Sequence, residues 1–198
     1  MKVKVTPSKV HGNVKIPASK SMAHRALICA SLSEGTSLVS NVTNSKDIEA
    51  TVGCMKALGA IIKQIDGTTY EVTGTNLFKQ EGNITCNANE SGSTLRFLIP
   101  LAACTNAKVI FLGQGRLLQR PMDVYANEFK KQNIEFNQSD KEIIVSGNLQ
   151  AKDYVVQGDI SSQFITGFMF VLPLLNQDST LTITEPYESK SYVNLTIQ

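Results

Sequence analysis

The chain has 198 residues, enough to bury a sizeable core as one generous domain or two small ones. Its 42% hydrophobic and 18% charged residues exclude a disordered chain, and 19 Lys+Arg against 17 Asp+Glu leave only +2, which excludes broad electrostatic capture of nucleic acid. From the first residue, MKVKVTPSKV lacks the apolar core of an export signal, so a cytoplasmic protein is expected. Cys29, Cys54, Cys86 and Cys104 form no CxxC pair and are expected as reduced, buried thiols.

In chain order, a strand-like segment at Asn13–Pro17 leads into a helix, MAHRALICASL after Ser21, and then a strand at Thr36–Ser40. A second helix is predicted over Lys46–Leu58, with Ile48, Val52 and Met55 on one face and Asp47 and Glu49 in its first turn. A hairpin follows, Ala60–Ile65 and Tyr70–Thr73 around an Asp66-Gly67 turn, closed by Gly74. The order then recurs. Asn83–Asn87 reads as a strand, GSTLRFLIPLAAC after Ser91 as a helix, and Lys108–Leu112 as a strand. Pro121–Lys131 reads as a helix with Pro at its first position, and Ile134–Asn137 with Ile143–Ser146 as a hairpin closed by Gly147. A third round opens with a strand at Asp153–Gln157 and a helix after Ser161, whose apolar stretch Phe164–Leu175 is too short for a bilayer. It continues with a strand at Ser179–Thr184 and the start of a helix near Lys190–Ile197.

Ser21, Ser91 and Ser161 are thus 70 residues apart, twice over. The unit is strand, helix, strand, helix, hairpin, in about two and a half copies. This predicts an α/β (α+β) fold, with residues 1–198 as one domain whose third repeat is cut short. A longer protein with a second domain is the expectation.

The three helix starts carry the chemistry. A helix N-terminus presents unpaired N–H groups and partial positive charge, which suits phosphate or carboxylate. Lys20, Ser21 and Arg25 surround the first start; Ser91, Gly92, Ser93, Thr94 and Arg96 the second; Ser161, Ser162 and Gln163 the third. A capped helix with solvated cations explains any one of these alone. The loop Gly113–Pro121 adds Arg116 and Arg120, and arginine grips an oxyanion through two parallel hydrogen bonds. The coincidence of these sites at repeat-equivalent positions points to an anion pocket. His11 and His24 have no metal-ligand spacing, and no dinucleotide or Walker-type glycine run is present, so neither metal nor cofactor is expected.

Lys20-Ser21-x-x-x-Arg25, Ser91-Gly92-Ser93-Thr94-Leu95-Arg96, Arg120-Pro121-Met122 and Ser161-Ser162-Gln163-Phe164, in this order, resemble the N-terminal half of the 5-enolpyruvylshikimate-3-phosphate synthase family, and Ser189-Lys190-Ser191-Tyr192 looks like its next substrate contact. The resemblance implies two similar three-repeat domains with the site between them, and transfer of the enolpyruvyl group of phosphoenolpyruvate to the 5-hydroxyl of shikimate 3-phosphate with release of phosphate. It places Lys20, Ser21, Arg25, Ser161, Ser162, Gln163, Ser189 and Tyr192 around shikimate 3-phosphate, and Lys20, Gly92, Arg96, Arg120 and Gln163 around phosphoenolpyruvate. The family's proton-transfer carboxylates lie in the second domain, so this chain by itself is expected to bind and not to turn over, with no nucleic-acid or membrane partner. Glu90 departs from the Asn that many members carry; a carboxylate there repels phosphoenolpyruvate unless it points away or pairs with Arg116 or Arg96. Two rivals remain. The related UDP-N-acetylglucosamine enolpyruvyl transferase resembles Lys-Asn at the first helix and has a loop cysteine that Gln114–Gln119 lacks. A non-catalytic domain that binds a phosphorylated metabolite is the other.

Overall fold

The computed structural model describes residues 2–9 and 11–198. From residue 13 to the first helix the backbone forms no strand, and Val14 and Ile16 are exposed. The expected strand at Asn13–Pro17 is therefore absent. Its alternating apolar residues lie against no neighbouring strand, and a lone extended segment has no ladder to join.

The first helix, α1 (Lys20–Leu32), is capped by Ser19, whose hydroxyl accepts from the Met22 amide at 3.3 Å. Ser21 sits one position inside the helix, so the equal serine spacing marks true caps only at Ser91 and Ser161. Strand β1 (Thr36–Val39) and helix α2 (Lys46–Ala57) follow, then β2 (Ile61–Gln64) and β3 (Tyr70–Thr73). These strands form an antiparallel sheet in the order β1-β3-β2.

The middle of the chain holds β4 (Glu81–Asn87), α3 (Gly92–Ala102), β5 (Asn106–Leu112), α4 (Asp123–Lys130), β6 (Glu135–Gln138) and β7 (Ile143–Ser146). Its sheet runs β4-β5-β7-β6, with β4 parallel to β5 because α3 crosses between them. Helix α4 begins two residues later than expected. Pro121 lies before its first turn, and a short 3₁₀ turn at Leu117–Gln119 buries Leu117 and Leu118.

The last part contains β8 (Asp153–Gln157), α5 (Ser162–Val171), β9 (Thr180–Thr184) and α6 (Lys190–Ile197), with β8 parallel to β9. Pro173 turns the end of α5 into a 3₁₀ segment, Leu172–Leu174. Strand order β5-β7-β6 corresponds to β1-β3-β2, and β8 beside β9 corresponds to β4 beside β5.

Helices α3 and α5 pack face to face, with α2 against α3 and α6 against α5. Aromatic rings fill this layer: Tyr125 meets Phe164 at 5.0 Å and Phe168 at 5.4 Å between centroids, and Phe97 meets Phe170 at 5.5 Å. Cys54, Cys86 and Cys104 are buried free thiols as expected, whereas Cys29 is exposed on α1. Among the described residues no helix is long and apolar enough to cross a membrane, and no three His, Cys, Asp or Glu side chains gather as a metal site.

Candidate active site

The starts of α1, α3, α5 and α6 meet at one cleft of about 260 Å³. Helix α1 contributes Ser21 and Arg25, α3 contributes Ser93 and Phe97, and the start of α5 contributes Ser161, Ser162 and Gln163. Ser189 and Tyr192 come from α6. None of these four helices has an acidic residue in its first turn, whereas α2 has Asp47 and Glu49 and α4 has Asp123. The positive ends of the helices at the cleft are therefore uncompensated by their own side chains, and that is where an anion gains most.

Arg25 is more committed than its motif suggests. Its Nε donates to Thr196 Oγ1 at 2.8 Å, Nη1 to the Ser21 carbonyl at 2.8 Å, and Nη2 to Thr166 Oγ1 at 3.3 Å and the Tyr192 carbonyl at 3.0 Å. Arginine has five N–H donors, so one Nη1 proton remains for a ligand. The guanidinium also lies over the Phe97 ring at 5.2 Å, and burial pulls its pKa below the ordinary arginine value. Arg25 thus clamps α1 to α5 and α6 as well as lining the cleft. Ser189 has a left-handed backbone (φ 54°) and makes no capping bond with its hydroxyl.

A second group adjoins the cleft through Gln163. Its Oε1 accepts from Arg96 Nη1 at 2.8 Å and its Nε2 donates to Ser93 Oγ at 2.8 Å. The Arg96 guanidinium packs over Phe164 at 4.9 Å, and its Nε is buried without a partner. Burial first, then the nearby Arg120 charge, pull its pKa down. The like charge of Arg120 disfavours the charged form of Arg96, and an anion bound beside them would relieve that repulsion. Arg120 reaches back over the start of α3: a Cβ on Gly92 would stand 2.5 Å from Arg120 Nη1. The bare glycine lets the guanidinium approach the backbone, and a side chain there would displace it.

Lys20, Gly92, Arg96 and Arg120 are outside the lining of the cleft itself. Lys20 Nζ forms an ion pair with Asp47 Oδ2 at 2.5 Å. Glu90 is exposed and pairs with neither Arg116 nor Arg96 among the described ion pairs; its Oε1 would stand 2.8 Å from a Cβ on Gly115, so it faces the Gly113–Pro121 loop. Two lining residues escaped the sequence reading as site members: His24 and Phe97. Ser93 was legible as a hydroxyl of the second helix start. His24 and Phe97 lie on helix faces that read as core.

A sequence model of the EPSP synthase (3-phosphoshikimate 1-carboxyvinyltransferase) family matches residues 5–198. The chain is 48% identical to the 3-phosphoshikimate 1-carboxyvinyltransferase of Clostridium kluyveri over 98% of its own length and 46% of that protein's. It is 47% identical to the enzyme of the same name from Clostridium perfringens strain SM101, over 99% and 46%. The chain therefore spans about half the length of the curated relatives it matches. An EPSP synthase structure from Acinetobacter baumannii shares the fold with a TM-score of 0.76 at 18% identity, covering 92% of this chain and 42% of that one.

Proposed function

The chain belongs to the EPSP synthase (3-phosphoshikimate 1-carboxyvinyltransferase) family, and from that membership we propose that it supplies one side of the site where the enolpyruvyl group of phosphoenolpyruvate passes to the 5-hydroxyl of shikimate 3-phosphate with release of phosphate. The observation that carries this reading is the meeting of four helix starts without first-turn acids at a cleft served by Arg25, with Arg96 and Arg120 beside it.

In this reading Ser21, Arg25, Ser161, Ser162, Ser189 and Tyr192 surround shikimate 3-phosphate, while Gly92, Arg96 and Arg120 receive phosphoenolpyruvate. Lys20 serves both, exchanging Asp47 for substrate. Gln163, bonded to Arg96 and lining the cleft, lies between the two. Both substrates are polyanions that repel one another. Clamping them with fixed cations and helix ends offsets that repulsion and holds the 5-hydroxyl near the enolpyruvyl carbon, which is proximity and electrostatic stabilisation rather than covalent chemistry. Among the described residues no carboxylate lines the cleft to move the protons, and Glu90 faces the loop. Those groups come from a second domain, and the chain by itself binds without turnover. The reaction uses no metal or cofactor, and the protein is cytoplasmic with small-molecule partners.

The test is a calorimetric titration of the 198-residue chain with shikimate 3-phosphate, followed by phosphoenolpyruvate. Saturable one-to-one binding of shikimate 3-phosphate with no product formed is expected. A folded chain that binds neither substrate overturns the assignment. Equal binding of unrelated phosphorylated metabolites would turn it toward a general phosphometabolite-binding domain.

A further inference from the structure

Four side chains from α1, α2 and α3 form one hydrogen-bonded line. His24 Nδ1 and Thr51 Oγ1 are 2.7 Å apart, Thr51 Oγ1 and Thr94 Oγ1 2.7 Å, and Thr94 Oγ1 and Ser91 Oγ 2.7 Å. All four residues are at least 98% buried, so solvent does not compete for these bonds. One end is the cap of α3, beside Gly92. The other is an imidazole that lines the cleft and whose Nε2 is buried without a partner.

Each hydroxyl has a single proton, so the line has a polarity. Around Thr94 two acceptors set it. The Asp47 carbonyl, 3.3 Å from Thr94 Oγ1, can only accept, and Ser91 Oγ already accepts from the Thr94 amide at 3.2 Å as the helix cap. Both draw the Thr94 proton away from Thr51. Thr51 then donates to Thr94, its only proton is used, and its bond to His24 needs a donor on the ring. The ring proton is on Nδ1, and Nε2 carries a lone pair.

We propose that His24 is a specificity-determining residue of the cleft: the Ser91–Thr94–Thr51 relay fixes its proton on Nδ1 and so presents Nε2 as an acceptor for a ligand hydroxyl. A neutral acceptor there rewards a hydroxyl-bearing ring and gives nothing to a bare oxyanion, while Arg25 next to it takes negative charge. Burial keeps the imidazole neutral, with its pKa lowered to about 4; Lys20 and Arg25 push the same way and Asp47 opposes them. The proposal rests on the reading of this cleft as the shikimate 3-phosphate subsite, since that ring offers hydroxyl donors.

The experiment begins without ligand. Long-range proton–nitrogen NMR of the ¹⁵N-labelled chain reports the tautomer of each histidine, with exposed His11 as the internal reference. His24 is expected to be protonated at Nδ1. Thr51→Val keeps the shape and removes the hydroxyl, and Thr51 is outside the cleft lining. In that variant the proton moves to Nε2, the tautomer free imidazole prefers, and the shikimate 3-phosphate affinity falls roughly tenfold, the cost of one hydrogen bond to a buried group, with inorganic phosphate affinity unchanged. Thr51→Ser restores both. A wild-type His24 protonated at Nε2 overturns the proposal, as does a Thr51→Val chain that shifts the tautomer and binds shikimate 3-phosphate as tightly as before. A wild-type chain with the Nδ1 proton that binds no shikimate 3-phosphate overturns the substrate reading instead, and the relay stands on its own tautomer result.

Discussion

Nη1 of Arg96 donates to Oε1 of Gln163 at 2.8 Å across the interface of α3 and α5. The bond orients the Gln163 amide, because only its oxygen can accept from a guanidinium, and the free NH₂ is then turned to Ser93 Oγ. A side chain at the start of one helix thereby holds two residues from the first turns of another. Arg96 is in this way tied to the cleft through Gln163, with their spacing set by the packing of α3 against α5.

Gly92→Ala tests the approach of Arg120. The new Cβ would stand 2.5 Å from Arg120 Nη1, and the guanidinium must move. The affinity for phosphoenolpyruvate should fall by about 1.5–3 kcal/mol, the range for a charged hydrogen bond, with shikimate 3-phosphate binding unchanged. Calorimetry with each ligand separately decides it; equal loss for both would detach Arg120 from one subsite.

Arg25→Ala removes four internal hydrogen bonds together with one ligand donor. Shikimate 3-phosphate binding should weaken by about 1.5–3 kcal/mol, and the melting temperature should fall as α6 loses its clamp to α1. A variant that loses affinity at full thermal stability would mean that the clamp contributes nothing to the fold.

Gly167→Ala tests packing under the site. A Cβ there would come within 2.7 Å of the Arg96 carbonyl and collide with the Tyr125 hydroxyl. That hydroxyl donates to the Arg96 carbonyl at 2.7 Å. Pushing the two helices apart should cost about 1–3 kcal/mol in urea unfolding. Unchanged stability would show that α3 and α5 can separate freely.

Stability should also depend on pH through His24. Its folded pKa of about 4 lies below the ordinary 6.5, so the unfolded chain binds more protons between these values. The contribution is fully present above about pH 6.5 and is lost as pH falls toward 4, on the order of 3 kcal/mol in all. His24→Asn, which cannot titrate, should flatten that part of the unfolding profile. An identical slope in the variant would assign the loss to other groups.

Local sequence determined much of this architecture. Alternating apolar residues, Asp-Gly and glycine punctuation, and serine caps at Ser91 and Ser161 place strands and helices within a few residues, because each depends on neighbours in the chain. The 70-residue recurrence added the grouping of the helix starts, and its motifs carried the family. Tertiary structure decided the rest. Asn13–Pro17 has a strand's alternation but lies on no ladder, so pattern alone did not make it one. Arg25 meets Thr196, 171 residues away, and His24, with its Nε2 left unpartnered, borders the cleft only because α1, α3 and α5 pack as they do. Periodicity reports which side of a helix is buried. Which buried polar atom faces which other is set by long-range packing, and that is where the donors of this site were assigned.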